Sequence, residues 1–293
     1  MNTSQIRYEI FLKTAQLGNI TLAAESLNYT QSGVSHAIAA MEREAGCTLF
    51  HRSKTGVQLT ESGKALLPLV QELVNKQHAL DQAMDALSNR IAGTLRIGSF
   101  TSFTAMWTGV LIREFIKQYP EVDIELTNGT YQEIEDGISS GRLDCGFLSA
   151  IENDPLDFQP LLEDEMLVIM APEHPLTKKK SVSLKSLGKY PLISQFQGSD
   201  HDVQQIFRRA GIRPQATYTL DDDISVMGLV SQSLGDEIAL MPELMLETAS
   251  FELTALPLSP RQRRTIGLAS LPLKESSLLV RTFAAYCAEF SFE

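Results

Sequence analysis

Ala23-Ala24-Glu25-Ser26-Leu27-Asn28-Tyr29-Thr30-Gln31-Ser32-Gly33-Val34-Ser35-His36 is the stretch that decides the reading of this chain. Small alanines allow one short helix to approach another closely, Asn28-Tyr29-Thr30 makes a tight turn, and Val34, Ile38 and Met41 then recur at helical spacing on one face. This pattern predicts a helix-turn-helix unit. Upstream, Ile6, Ile10, Phe11, Ala15 and Leu17 predict a first helix ended by Gly18-Asn19, with Thr21 as the cap of the second. Gln31, Ser32, Ser35 and His36 fall on the outward side of the third helix near its N-terminus. An amide, hydroxyls and an imidazole in that position can reach base edges and phosphates, although as isolated residues they read more simply as ordinary surface polar groups.

The decision comes from the number of positions that agree in order. Ala23-Ala24, Leu27, Thr30-Gln31-Ser32, Val34-Ser35, Met41-Glu42, Gly46, Leu49-Phe50, Arg52, Gly56-Val57, Leu59-Thr60-Glu61 and Gly63 together resemble the N-terminal signature of LysR-type transcriptional regulators. The resemblance is dense over the first 63 residues and looser beyond. It implies an α+β protein with a winged helix-turn-helix over residues 1–60 and a dimerisation linker helix over 61–90. A two-lobed α/β effector domain, resembling type 2 periplasmic binding proteins, would follow, with lobe one over 91–163 and 268–293 and lobe two over 164–267. It also implies DNA contacts at Gln31, Ser32, Ser35 and His36, and phosphate contacts from Arg52 and Lys54 in the wing. The implied partners are double-stranded promoter DNA, a small-molecule effector, a second copy of the chain in a homodimer or homotetramer, and RNA polymerase. Thr55 and Gln58 stand where the family often has basic residues, so weak non-specific DNA affinity is expected.

Composition agrees with this reading. The 293 residues carry a net charge of −11, yet residues 1–90 hold 8 basic and 8 acidic groups, so the acidity belongs to the remainder. A neutral head can present a local basic face while an acidic body discourages indiscriminate binding. No apolar run approaches the roughly 18 residues of a membrane span, and the start lacks a signal-peptide pattern, so a cytoplasmic protein without membrane contact is expected. Cys47, Cys145 and Cys287 are far apart and read as reduced thiols rather than a redox pair. No GxSxG, HExxH, Walker loop or Cys/His metal spacing occurs, and the five histidines scatter, so neither catalytic residues, nor a metal, nor a cofactor is expected. Asp200-His201-Asp202 invites a catalytic reading, but a solvated helix start explains it more simply. A solute-binding protein would share the two-lobed body without the head, and an architectural DNA protein would not need the body.

Leu66, Leu73, Leu80 and Leu87 lie seven residues apart with Val70, Gln77 and Met84 between them, an a/d seam with a polar break. The seam predicts dimerisation through Leu66, Val70, Leu73, Leu80, Met84 and Leu87; packing on its own domain is the alternative. Pro68 marks a kink or a later start.

From Thr94 onward, strand-like runs alternate with helical patterns. Strands are expected at 94–98, 122–127, 143–148, 166–171, near Tyr218 and at 238–242, and helices after residue 102, at 131–140, 183–187, 202–209, 224–233 and 276–290. The first of these helices should bury Met106, Trp107, Val110, Leu111 and Phe115. Ligands of such sheets sit beyond the carboxyl ends of the strands. The candidate effector contacts are therefore Ser99, Phe100, Thr101, Ser102, Thr127, Asn128, Phe147, Ser194, Gln195 and Phe196, with local capping an equal reading of each Ser, Thr or Asn. The start of the helix after Ser99 favours an anion, and no Arg or Lys lies in these loops, so a small polar or anionic effector held with modest affinity is expected.

Overall fold

Thr30 opens the decisive helix as a side-chain cap, its Oγ1 accepting from the Gly33 amide at 3.1 Å. That helix, α3 (Gln31–Ala45), follows α1 (Thr3–Leu17) and α2 (Ile20–Ser26) and ends at Gly46, whose φ of 67° is left-handed. The cap of α2 is Asn19 rather than Thr21: its side chain accepts from the amides of Thr21 and Leu22. These elements belong to a computed structural model that describes residues 3–53, 56–87, 90–150, 156–195, 201–213, 216–220, 222–233, 235–248, 250–274 and 276–292. The chain divides into two units, Met1–Ser88 with Ser140–Arg142, and Asn89–Ser139 with Leu143–Glu293.

In the first unit, β1 (Phe50–Ser53) and β2 (Gly56–Leu59) form an antiparallel wing, and α4 (Glu61–Leu87) runs on unbroken through Pro68. The core gathers Ile10, Phe11, Val34, Ile38, Met41, Leu49 and Phe50, each burial contributing about 1.5–3 kcal/mol. Several signature residues turn out to be joints. The Glu42 carboxylate accepts from the Leu49 and Phe50 amides at 2.8 and 3.3 Å, fixing α3 to the wing. Thr60 donates to the Thr48 carbonyl and accepts from the Gly63 amide, capping α4. Gly63 is required by close approach, since a Cβ there would lie 2.3 Å from the Leu49 carbonyl oxygen.

The first half of α4 contradicts part of the expected seam. Val70 is only 4% exposed and, with Val74 and the half-buried Leu66, packs into this unit's own core. The stripe that covers the three-helix head is Leu66, Val70 and Val74 at a spacing of four, which removes Val70 from an interchain seam. Farther along, Leu73, Leu80, Met84 and Leu87 remain exposed, Leu80 at 53% and Leu87 at 89%.

The second unit begins with β3 (Gly93–Ser99), α5 (Thr101–Phe103), a π-helical turn (Thr104–Thr108) and α6 (Gly109–Gln118). The wide turn shifts the phase of the helix, so Leu111 and Phe115 are buried as expected while Val110 is left exposed and Thr108 goes inside instead. Next come β4 (Val122–Asn128), α7 (Tyr131–Ser139), β5 (Cys145–Ser149) and β6 (Asp157–Met170). The chain continues through β7 (Val182–Ser183), a 3-10 turn over Leu184–Lys189 where a helix was expected, β8 (Leu192–Gln195), α8 (His201–Ala210) and β9 (Ala216–Leu220). It closes with α9 (Asp223–Ser231), β10 (Ile238–Pro242), α10 (Glu243–Leu246), β11 (Thr254–Ser270) and α11 (Leu278–Glu289).

The main sheet has the order β4-β3-β5-β11-β6-β10-β8-β9. Its two ends are parallel, and its middle is the antiparallel pair β6 and β11, in which Arg264 stands opposite Asp164. These long strands run through both lobes. Phe158, Leu162, Ile266 and Leu268 join the first lobe's core with Leu95, Phe115 and Phe283, whereas Met166, Val168, Met170 and Leu258 join the second lobe's core with Leu192, Ile206 and Leu240. Asp144 fastens β5 to β3 by accepting from Arg96 Nη2 at 2.8 Å and from the Arg96 amide at 2.7 Å.

Candidate functional site

Two surfaces stand out, one in each unit. In the head, burial of Val34, Ile38 and Met41 leaves Gln31, Ser32 and His36 exposed on the opposite side of α3 and Ser35 half-buried. The first turn of α3 has Thr30 as its cap, and Ser32 Oγ lies 3.1 Å from Thr30 Oγ1. Arg52 is exposed on β1 opposite Val57, whereas Lys54 lies outside the described residues. An exposed polar helix start and an exposed wing cation are the kinds of group that meet base edges and a phosphate backbone.

In the second unit a cleft between the lobes encloses about 310 Å³. Phe100, Thr101 and Ser102 line it from the first lobe, together with Gly129, Thr130, Tyr131 and Glu133; Ser194 lines it from the second, with Asp202, Asp222 and Asp223. Its apolar floor is Met166, Ile193, Leu240, Met241 and Met245. The helix start at Thr101 has no side-chain cap, and Phe100 before it is extended, with φ −102° and ψ 162°.

Other expected contacts lie elsewhere. Ser99 is fully buried, its Oγ accepting from Thr104 Oγ1 at 2.8 Å and lying 3.1 Å from Thr108 Oγ1, so it braces the π-helical turn. Phe147 is a core residue, its ring 4.3 Å from that of Phe103. Thr127 is exposed on the edge strand β4 and does not line the cleft. Asn128 reaches only Thr101, donating from Nδ2 to Oγ1 at 3.5 Å. Gln195 ends β8, and Phe196 lies outside the described residues.

The expectation of a cleft without Arg or Lys is overturned by Arg264, brought in by β11. It is 8% exposed, with its guanidinium carbon 5.2 Å from the centroid of the Phe100 ring. Asp202 is likewise no solvated helix start. Its Oδ1 accepts from Ser149 Oγ at 2.7 Å and its Oδ2 from the Tyr131 hydroxyl at 2.9 Å and Arg264 Nη1 at 3.2 Å. Burial holds the Tyr131 hydroxyl well above its ordinary pKa, reinforced by the Asp202 carboxylate and opposed by Arg264, so it remains a neutral donor. Burial opposes the charge of Arg264, but the carboxylates of Asp202 and Asp164 more than restore it, and the guanidinium stays charged. Burial likewise pushes the Cys145 and Cys287 thiols up, away from the reactive thiolate.

A helix-turn-helix head and a cleft between two α/β lobes define a ligand-responsive DNA-binding protein. Residues 7–64 match the bacterial regulatory helix-turn-helix protein family of lysR type, and residues 88–291 match the LysR substrate binding domain. The chain belongs to the LysR family of transcriptional regulators, and it is not an enzyme. It is 29% identical over 292 residues to the HTH-type transcriptional regulator YvbU of Bacillus subtilis, covering 99% of this chain and 98% of that one. Its fold matches full-length CbnR in complex with target DNA at a TM-score of 0.65 and 19% identity, over 98% of this chain and 99% of CbnR. The effector binding domain of QuiR in complex with shikimate matches at 0.60 and 25% identity, over 67% of this chain and 96% of that domain. Among the described residues no helix is long and apolar enough to cross a membrane.

Proposed function

We propose that this regulator reads promoter DNA with Gln31, Ser32, Ser35 and His36, steadied by phosphate contacts from Arg52 and Lys54, and that a small polar or anionic molecule in the interlobe cleft controls it. The observation that carries the reading is the polar face of α3, opposite its three buried apolar residues. The regulator works in the cytoplasm as a dimer or tetramer through Leu73, Leu80, Met84 and Leu87, and its output is contact with RNA polymerase. The exposure of these four apolar side chains supports the association surface.

The effector class follows from three features of the cleft. The uncapped amides at Thr101 to Phe103 favour one negative group, to which the Thr101 and Ser102 hydroxyls are neighbours. The methionine-rich floor suits an apolar or cyclic body. Glu133, Asp222 and Asp223 at the lining oppose further negative charge, so a monocarboxylate fits better than a polyanion. The relative QuiR, solved with shikimate, is consistent with that class.

Gel-shift titration of the full chain on a selected operator tests the DNA-reading face. Gln31→Ala or His36→Ala is expected to cost about 1–3 kcal/mol and to relax preference at one base pair, while Arg52→Ala weakens binding about equally on all sequences. Unchanged affinity in all three variants would remove the assignment.

A further inference from the structure

Arg264 carries five N–H donors, and the cleft accounts for every one. Nε and Nη2 both donate to Asp164 Oδ2, at 2.8 and 2.6 Å. Nη2 also donates to Ser102 Oγ at 2.9 Å, and Nη1 donates to the Tyr131 hydroxyl at 3.0 Å and to Asp202 Oδ2 at 3.2 Å. Asp164 is itself anchored, its Oδ1 accepting from the Leu244 amide at 3.1 Å. The only cation among the described residues that line the cleft therefore has no donor left for an incoming anion.

The partners come from different parts of the fold. Arg264 and Asp164 stand opposite each other where β11 and β6 pass between the lobes. Ser102, Tyr131 and Ser149 belong to the first lobe, on α5, α7 and β5. Asp202 sits in the first turn of α8, a helix whose Ile206 and Phe207 pack into the second lobe's core. The hydrogen bonds that Asp202 accepts from Tyr131, Ser149 and Arg264 thus come from the first lobe and from a crossing strand. A fully satisfied network of buried charges is rigid, and it resists the removal of any one member.

We propose that Asp202 and Arg264 are positioning residues that latch the second lobe to the first. They set the width of the cleft and keep the guanidinium out of effector binding. The latch stands on its own geometry; only its consequence for the effector rests on reading the cleft as the effector site. Under that reading the effector's charge is met by the amides at Thr101 to Phe103, and occupancy acts on a cleft whose lobes are already joined on one side.

The latch can be read without any effector, by pulsed electron spin resonance on the full chain. Spin labels on cysteines placed at Lys117 in the first lobe and Lys185 in the second, both exposed, report the interlobe distance. The exposed native Cys47 is first changed to Ser, and the labelled chain is diluted with unlabelled protein so that only intrachain distances count. The unaltered network is expected to give one narrow distribution, and Asp202→Asn a longer and broader one. The pair Tyr131→Phe with Ser149→Ala removes the first lobe's donors to Asp202 without touching either charge, and is expected to broaden the distribution in the same way even if Asp202→Asn fails to fold. Glu173→Gln, at an exposed side chain of the second lobe outside both the cleft and the network, should leave the narrow distribution in place. Superimposable distributions for the double variant and the parent would overturn the latch, and would leave the proposed effector class standing.

Discussion

The head and the body of this regulator are built on opposite principles. In the head the residues that meet the outside lie within one helix turn or two of each other, from Gln31 to His36, and the residues that hold them in place are their immediate helical neighbours. In the body the cleft is assembled across the chain: Arg264 bonds Ser102 over a separation of 162 residues and Tyr131 over 133. A DNA-reading face needs one rigid helix with one polar side. A ligand cleft between lobes needs contributions from several strand ends and from the crossing strands, so its chemistry is distributed by construction.

The contrast implies that one substitution can damage the body far more than the head's surface. Arg264→Met leaves the carboxylates of Asp164 and Asp202 without their cation in a dry setting, and should cost the body about 3–5 kcal/mol. Urea unfolding followed by the fluorescence of Trp107, the single tryptophan, reports on this unit directly. A variant with an unchanged midpoint would mean that the network is solvated and that the cleft is no more specialised than the head.

A smaller effect separates local from distributed contributions within the body. Asp222 caps α9, and the hydroxyl and amide of Ser225 hold its carboxyl below the ordinary carboxylate range. Because the folded value is depressed, its contribution is full above the unfolded pKa of about 4 and is lost as pH falls through the folded value. Asp222→Ala should cost about 1 kcal/mol at pH 7 and progressively less in acid. A difference between parent and variant that grows as the pH is lowered would show that the cap is not the source.

The same contrast explains what could be read in the chain. Helix spacing placed α3 correctly because Val34, Ile38 and Met41 are neighbours on one face whatever surrounds them. It could not say what the stripe on α4 covers, and Val70 packs on the head rather than on a partner. In the body the alternation of strands and helices was legible, and so was the general position of the cleft beyond the strand ends. A strand end does not reveal which face a side chain takes, so Ser99 and Phe147 were expected in the cleft and lie inside. Arg264 was hidden because β11 holds Pro257, Pro260 and four consecutive polar residues before Thr265, which erases the period of a strand. The available signal was a charge two residues before the apolar run 266–269, with a carboxylate, Asp164, two residues before the run 166–171. Only pairing of the two strands gives that signal meaning.

The central claim is that the cleft holds one negative group through the backbone at the start of α5, and Thr101→Pro tests it most directly. Proline fits the first position of a helix, and Phe100 already has the extended backbone that a following proline demands. The substitution therefore removes one amide donor and one hydroxyl while keeping the fold. A thermal-shift series on the full chain would compare shikimate and benzoate with benzylamine and benzyl alcohol. The account predicts that at least one carboxylate raises the melting temperature of the parent and does so much less for Thr101→Pro, while the amine and the alcohol do neither. Equal stabilisation of both proteins by carboxylates, or stabilisation by the amine alone, would contradict it.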